Sequence, residues 1–179
     1  MKNERKLYEY ITKSEKISKL SFEKKISVAF LSSFTIKGIE EIIKVKCSEN
    51  NLESKIYLAG YNQYQQEILN DKSKLYTSKP NIIFIILDVR HILGDFFFDP
   101  YHFSQNERKQ AIENKIEEIK KLLLKLLKNS ESKIVFSNLN IPTYSPYGIY
   151  EGKEEYGIRQ MIYEFNKKIQ EYFINENSL

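Results

Sequence analysis

A chain of 179 residues with 28 lysines and arginines against 24 acids, formal net charge +4, is long enough for one well-formed core and too short for two large domains. Its lysines are scattered among acids rather than gathered into the basic footprint of a nucleic-acid binder. No apolar run could span a bilayer, the charged first twenty residues hold no signal-peptide core, and a single cysteine, Cys47, excludes an internal disulfide and a cysteine-only metal cage.

Residues 3–20 place Leu7, Tyr10, Ile11, Ile17 and Leu20 on one helical stripe. We read 1–22 as an added N-terminal helix and 23–179 as one α/β domain. A first strand at about 25–31 runs into Ser32-Ser33-Phe34-Thr35, with Thr35 placed to cap a helix over about 36–49. Ile39, Ile42, Ile43 and Cys47 form the inward side of that helix. A second strand at about 55–59 ends at Gly60 and leads through Tyr61, Asn62 and Gln63 into a short helix, Tyr64 to Leu69. Pro80 admits the most apolar run of the chain, 82–87, which predicts the centre of a sheet. The stretch 89–104 reads as a long irregular segment rich in phenylalanine. Residues 105–129 form the longest helical pattern, a fourth strand occupies about 133–137, and a final amphipathic helix runs over about 157–173.

Short β-branched runs separated by helical patterns predict a parallel sheet. Right-handed crossovers then give a three-layer α/β/α sandwich, flavodoxin-like in strand order. In such a sheet ligands bind beyond the carboxyl ends of the strands, which is where the polar segments of this chain fall. Only four strands are evident where five are usual, so the flank beside the fourth strand, with Ile134 and Phe136, is predicted to lie open and to invite self-association or pairing with another segment.

Ser33, between a strand and a helix, is a candidate nucleophile or anion contact; Ser32 and Ser33 as plain turn residues is the competing reading. His91 and His102 are the only histidines, and either could serve as a base if held by Asp88, Asp95 or Asp99. Their spacing matches no metal-ligand signature, so no metal site is expected. Arg90 stands out because arginine is scarce in this lysine-rich chain and here directly follows a strand. Phe96, Phe97, Phe98, Tyr101 and Phe103 form either a lid tucked into the core or an interface patch.

The run Gly60-Tyr61-Asn62-Gln63-Tyr64, together with Ser33-Phe34-Thr35, Leu87-Asp88-Val89-Arg90 and Pro142-Thr143-Tyr144-Ser145-Pro146-Tyr147-Gly148, resembles the N-terminal domain of FkbH-like proteins. These are HAD-type, subclass IIIC proteins of polyketide and surface-polysaccharide pathways. The likeness covers about residues 25 to 160. It implies an SGNH-hydrolase-like domain joined to a C-terminal HAD domain that handles phosphoglyceryl or related groups, with Mg expected only in that HAD domain and no cofactor in this chain.

Set against the SGNH pattern, Leu31-Ser32-Ser33 stands where Gly-Asp-Ser is usual, so only Ser33 matches. Gly60 fits the glycine of the second block, Arg90 replaces a neutral amide donor, and the final Asp-x-x-His block, which supplies the base, is read as having no counterpart in this chain. The resemblance implies a docking or binding module for an anionic three-carbon, glyceryl-type substrate or an acyl carrier protein. Its ligand contacts are expected from Thr35, Gly60, Tyr61, Asn62, Gln63, Tyr64, Asp88, Arg90, Asn138, Tyr144 and Ser145. The alternative is an active acyl or glyceryl ester hydrolase or transferase that uses Ser33. The family pattern continues with a further strand and a HAD domain, so this chain is expected to be an N-terminal fragment or split product, located in the cytoplasm.

Overall fold

The computed structural model describes residues 5–17 and 21–175. Its chain divides into two compact units, one of residues 1–85 and 130–135, the other of 86–129 and 136–179.

The first unit opens with helix α1 (Leu7–Ile17) and strand β1 (Lys24–Ser32), followed by helix α2 (Ile39–Ser48) and strand β2 (Leu52–Leu58). Two short helices, α3 (Tyr64–Leu69) and α4 (Lys74–Thr77), precede strand β3 (Ile82–Ile86); strand β4 (Lys133–Phe136) comes later in the chain. The strands form one parallel sheet in the order β2-β1-β3-β4, the order in which a flavodoxin-like sheet begins. Only Ile86 and Phe136, the last residues of β3 and β4, fall in the second unit. β1 pairs with β2 from Lys24 opposite Leu52 to Phe30 opposite Leu58. Val28, Ala29, Phe30 and Leu31 are buried, as an interior strand of a covered sheet requires. Phe30 and Phe84 stack at 4.9 Å across β1 and β3. Asn81 fixes the start of the sheet: its side-chain oxygen accepts from Ser27 N at 2.7 Å, its N–H donates to Ser27 O at 2.7 Å, and its carbonyl accepts from Lys133 N at 2.9 Å.

Local boundaries depart from the sequence reading where glycine intervenes. Thr35 does not cap α2. The helix starts at Ile39 behind Gly38, whose φ of 93° is left-handed, and no side-chain cap bond is made. A side chain at Gly38 would also meet the Leu7 methyl at 2.8 Å, so this glycine lets α1 lie close on α2. The inward residue of α2 is Val45, whereas Cys47 is only half-buried. Along α1 the predicted stripe is largely exposed at Leu7 and Ile11, and Leu20 lies outside the described residues.

The second unit begins with the stretch read as irregular, which is in fact helical in short pieces: α5 (Val89–Leu93), α6 (Asp95–Phe98) and a 3-10 turn at Pro100–His102. Helix α7 (Gln105–Asn129) follows, then a 3-10 turn at Gly148–Gly152 and helix α8 (Ile158–Asn175). Ile112, Ile116, Ile119, Leu123 and Leu126 of α7, and Ile158, Met161, Ile162, Phe165 and Ile169 of α8, are buried, at helical spacing. Among the described residues no helix is long and apolar enough to cross a membrane.

Candidate functional site

Each candidate segment begins just past the carboxyl end of a strand. Ser33 follows β1, and Gly60 to Gln63 follow β2. Asp88 and Arg90 follow β3, and Asn138 follows β4.

In the first unit the ends of β1 and β2 enclose a pocket of about 220 Å³, lined by Ser32, Phe34, Thr35, Ile36, Lys37, Leu58, Ala59 and Tyr61. Ser33 is buried at 3 % exposure, and Ser32 donates its hydroxyl to Phe34 O at 2.6 Å. After β2 the chain turns tightly: Gln63 N donates to Gly60 O at 3.1 Å, and Asn62 holds a positive φ of 54°. This is the turn form that needs a left-handed third residue, a position asparagine tolerates. The Gln63 side chain folds back over Gly60 and would lie 2.3 Å from an added Cβ. The Oδ1 atom of Asn62 is buried without a hydrogen-bond partner, a state that costs about 1–3 kcal/mol when no donor arrives. Tyr61 is exposed, whereas Tyr64, expected as a ligand contact, sits in the core at the start of α3 with its hydroxyl accepting from Gln65.

In the second unit Asp88 caps α5. Its Oδ1 accepts from Arg90 N at 2.8 Å, and its two oxygens accept from Arg90 Nε and Nη2, both at 2.9 Å. This two-pronged pair holds the Asp88 carboxyl below the ordinary aspartate value and raises the Arg90 guanidinium above its own. Arg90 is therefore already engaged by a carboxylate, and an anionic ligand would have to share it. Tyr144 is exposed; Ser145 donates its hydroxyl to Glu151, whose other oxygen accepts from Arg159 N at 2.9 Å. Asn138 is exposed, and the segment beside it is clamped by Asn166 of α8, which accepts from Leu139 N at 2.7 Å and donates to Leu139 O at 2.9 Å.

Of the residues named as a possible base and its holder, Asp99 and His102 pair, Oδ2 to Nδ1 at 2.7 Å, on an exposed turn, and give the chain after β3 an Asp-x-x-His spacing that the sequence reading counts as absent. Two functional-looking features escape the sequence reading. Lys37 lines the pocket of the first unit. The other is Arg108, 3 % exposed. Its Nε donates to Tyr156 O at 3.0 Å and its Nη1 to Phe103 O at 2.6 Å and the Tyr147 hydroxyl at 2.9 Å. Its Nη2 donates to Glu154 at 2.5 Å and Glu155 O at 2.9 Å. The scarcity of arginine is a sequence signal that points to Arg108 as much as to Arg90. Among the described residues no group of three or more His, Cys, Asp and Glu is gathered as a metal would need.

With this geometry, the family model described as FkbH, N-terminal domain, matches residues 21–178. The chain belongs to the FkbH N-terminal domain family. The match extends past both ends of the likeness seen in the sequence motifs. A solved structure described as the N-terminal part of the protein BF1531 from Bacteroides fragilis, containing a phosphatase domain complexed with Mg, shares the fold with a TM-score of 0.73 at 15 % identity. The superposition covers 94 % of this FkbH N-terminal domain but 42 % of the neighbour, so the chain spans less than half of that protein's length. No curated protein matches it.

Proposed function

We propose that this FkbH N-terminal domain is a binding module that presents a small anionic three-carbon substrate, of the glyceryl type, or the arm of a carrier protein, to a phosphatase domain like that of the neighbour. The observation that carries the reading is the pocket at the ends of β1 and β2. At about 220 Å³ it lies below the 300–1,000 Å³ usual for drug-sized ligands and suits a group of few heavy atoms. Lys37 supplies a cation and Thr35 and Tyr61 supply hydroxyls at its walls. The SGNH-like character of the domain belongs to the same proposal.

The alternative, ester hydrolysis by Ser33, is weaker on physical grounds. A serine 3 % exposed is out of reach of a bulky acyl group.

Isothermal titration of the chain with phosphoglycerate tests the reading. Saturable binding weakened roughly tenfold or more by Lys37→Ala is expected, since a charge-assisted contact is worth about 1.5–3 kcal/mol. Binding that ignores this substitution would overturn the pocket assignment. Turnover of short acyl esters that disappears in Ser33→Ala would establish the hydrolase instead.

A further inference from the structure

The loops that follow β3 and β4 give the second unit an unusual surface. Phe98 of α6, Tyr101 of the 3-10 turn, and Tyr144, Ile149 and Tyr150 beyond β4 are all exposed. Single exposed apolar side chains are normal; five large ones on two stitched loops are not.

Their frame is rigid. Tyr101 donates its hydroxyl to Pro146 O at 2.9 Å, and Tyr147 returns a bond to Pro100 O at 3.1 Å, with the two rings edge-on at 4.6 Å. Buried Phe97 contacts both Phe98, at 5.4 Å, and Tyr144, at 6.4 Å, so three rings share one cluster. Arg108 locks the same loops from beneath by its bonds to Phe103 O and to the Tyr147 hydroxyl. The exposed rings are thus held outward by fixed backbone, and a preorganised surface loses little entropy on binding.

Shape and charge narrow the occupant. Ile149 is 93 % exposed; a small molecule covers side chains that line a concavity, not one standing clear of its neighbours. Arg90 and Lys153 are interspersed with Asp99, Glu151 and Glu154, which matches neither a phosphate backbone nor an anionic lipid surface. Tyrosine, phenylalanine and arginine around an apolar centre are the composition of protein–protein interfaces.

We propose that this aromatic platform is the docking surface for a phosphatase domain of the kind that the structural neighbour carries in its longer chain. The proposal rests on the two-domain reading given above.

Surface plasmon resonance of the 179-residue chain against a purified phosphatase-domain polypeptide from the same genome tests it. The double substitution Ile149→Glu, Tyr150→Ala is expected to weaken binding roughly tenfold or more; both side chains are exposed, so thermal unfolding should not move. Lys25→Ala, an exposed residue at the amino end of β1, should bind the phosphatase domain as the wild type does. If the wild type binds no phosphatase domain, the two-domain reading fails and this proposal with it. If the wild type binds and the double variant binds equally well, that reading stands and the platform is excluded. Self-association of the chain abolished by Ile149→Glu would give the platform to a second copy and overturn the proposal.

Discussion

Arg108 and Arg90 show how one residue type serves two ends. Arg90 makes a two-pronged pair with Asp88 at the surface, where solvent screens the attraction and the contact adds little to stability. Arg108 is buried, and five hydrogen bonds tie α7 to the loops around Phe103, Tyr147 and Tyr156. Removing it would strand three backbone carbonyls and a phenol without donors. We predict that Arg108→Ala lowers unfolding free energy by about 3–5 kcal/mol, measured by urea denaturation. Arg108→Lys should recover less than half of that, because a point charge cannot make the planar fork's contacts. Asp88 gives a pH prediction. Its folded pKa is lowered, first by the bond from the Arg90 side chain and then by its backbone N–H. The stabilisation is therefore fully present above the unfolded value of about 3.9 and is lost as pH falls through the folded one. An acid titration of stability should show this slope in the wild type and lack it in Asp88→Asn; equal slopes would refute the assignment.

At the scale of elements, periodicity revealed the long helices and missed the short ones. α7 occupies the predicted 105–129 because its apolar spacing persists over many turns. Its start was legible in another way: Ser104 and Glu107 form a reciprocal capping box, Glu107 accepting from Ser104 N and Oγ at 2.7 Å while Glu107 N donates back at 3.3 Å. Ser104→Ala should cost about 1 kcal/mol, read as a lowered melting temperature with unchanged helical circular dichroism below it. The stretch after β3 read as irregular because α5 and α6 have five and four residues, too few for a 3.6-residue period to appear. Gly94, at φ 54° and ψ −128°, separates them in a conformation reserved for glycine. The late start of α2 has the same origin in Gly38.

At the scale of the whole molecule, β4 ends the sheet among the described residues. Ile134 and Phe136, expected to lie open, are half-buried, and Phe136 meets the rings of Phe165 and Phe173, each at 6.4 Å. Val135, on the opposite face, is the exposed one. Covering a side chain does not pair the backbone, so β4 still offers a free ladder. Light scattering of the chain is expected to show a dimer or larger species, shifted toward monomer by Val135→Lys. A monomer at all concentrations would show that the β4 edge is not used.

The sequence by itself determined the class, the strands and the family. Apolar runs and their periods follow from which residues leave water, and the Gly-Tyr-Asn-Gln-Tyr and Tyr-Ser-Pro elements survive in any conformation. It also placed candidate residues directly after strands, because each apolar run ends where a polar segment begins. Only the tertiary structure decided what those residues do there. It buried Ser33 and Tyr64, left the Asn62 oxygen without a donor, and made Arg108 the buried arginine. Such outcomes depend on which groups from distant segments meet and whether each polar atom finds a partner. Spacing along a chain carries no record of that.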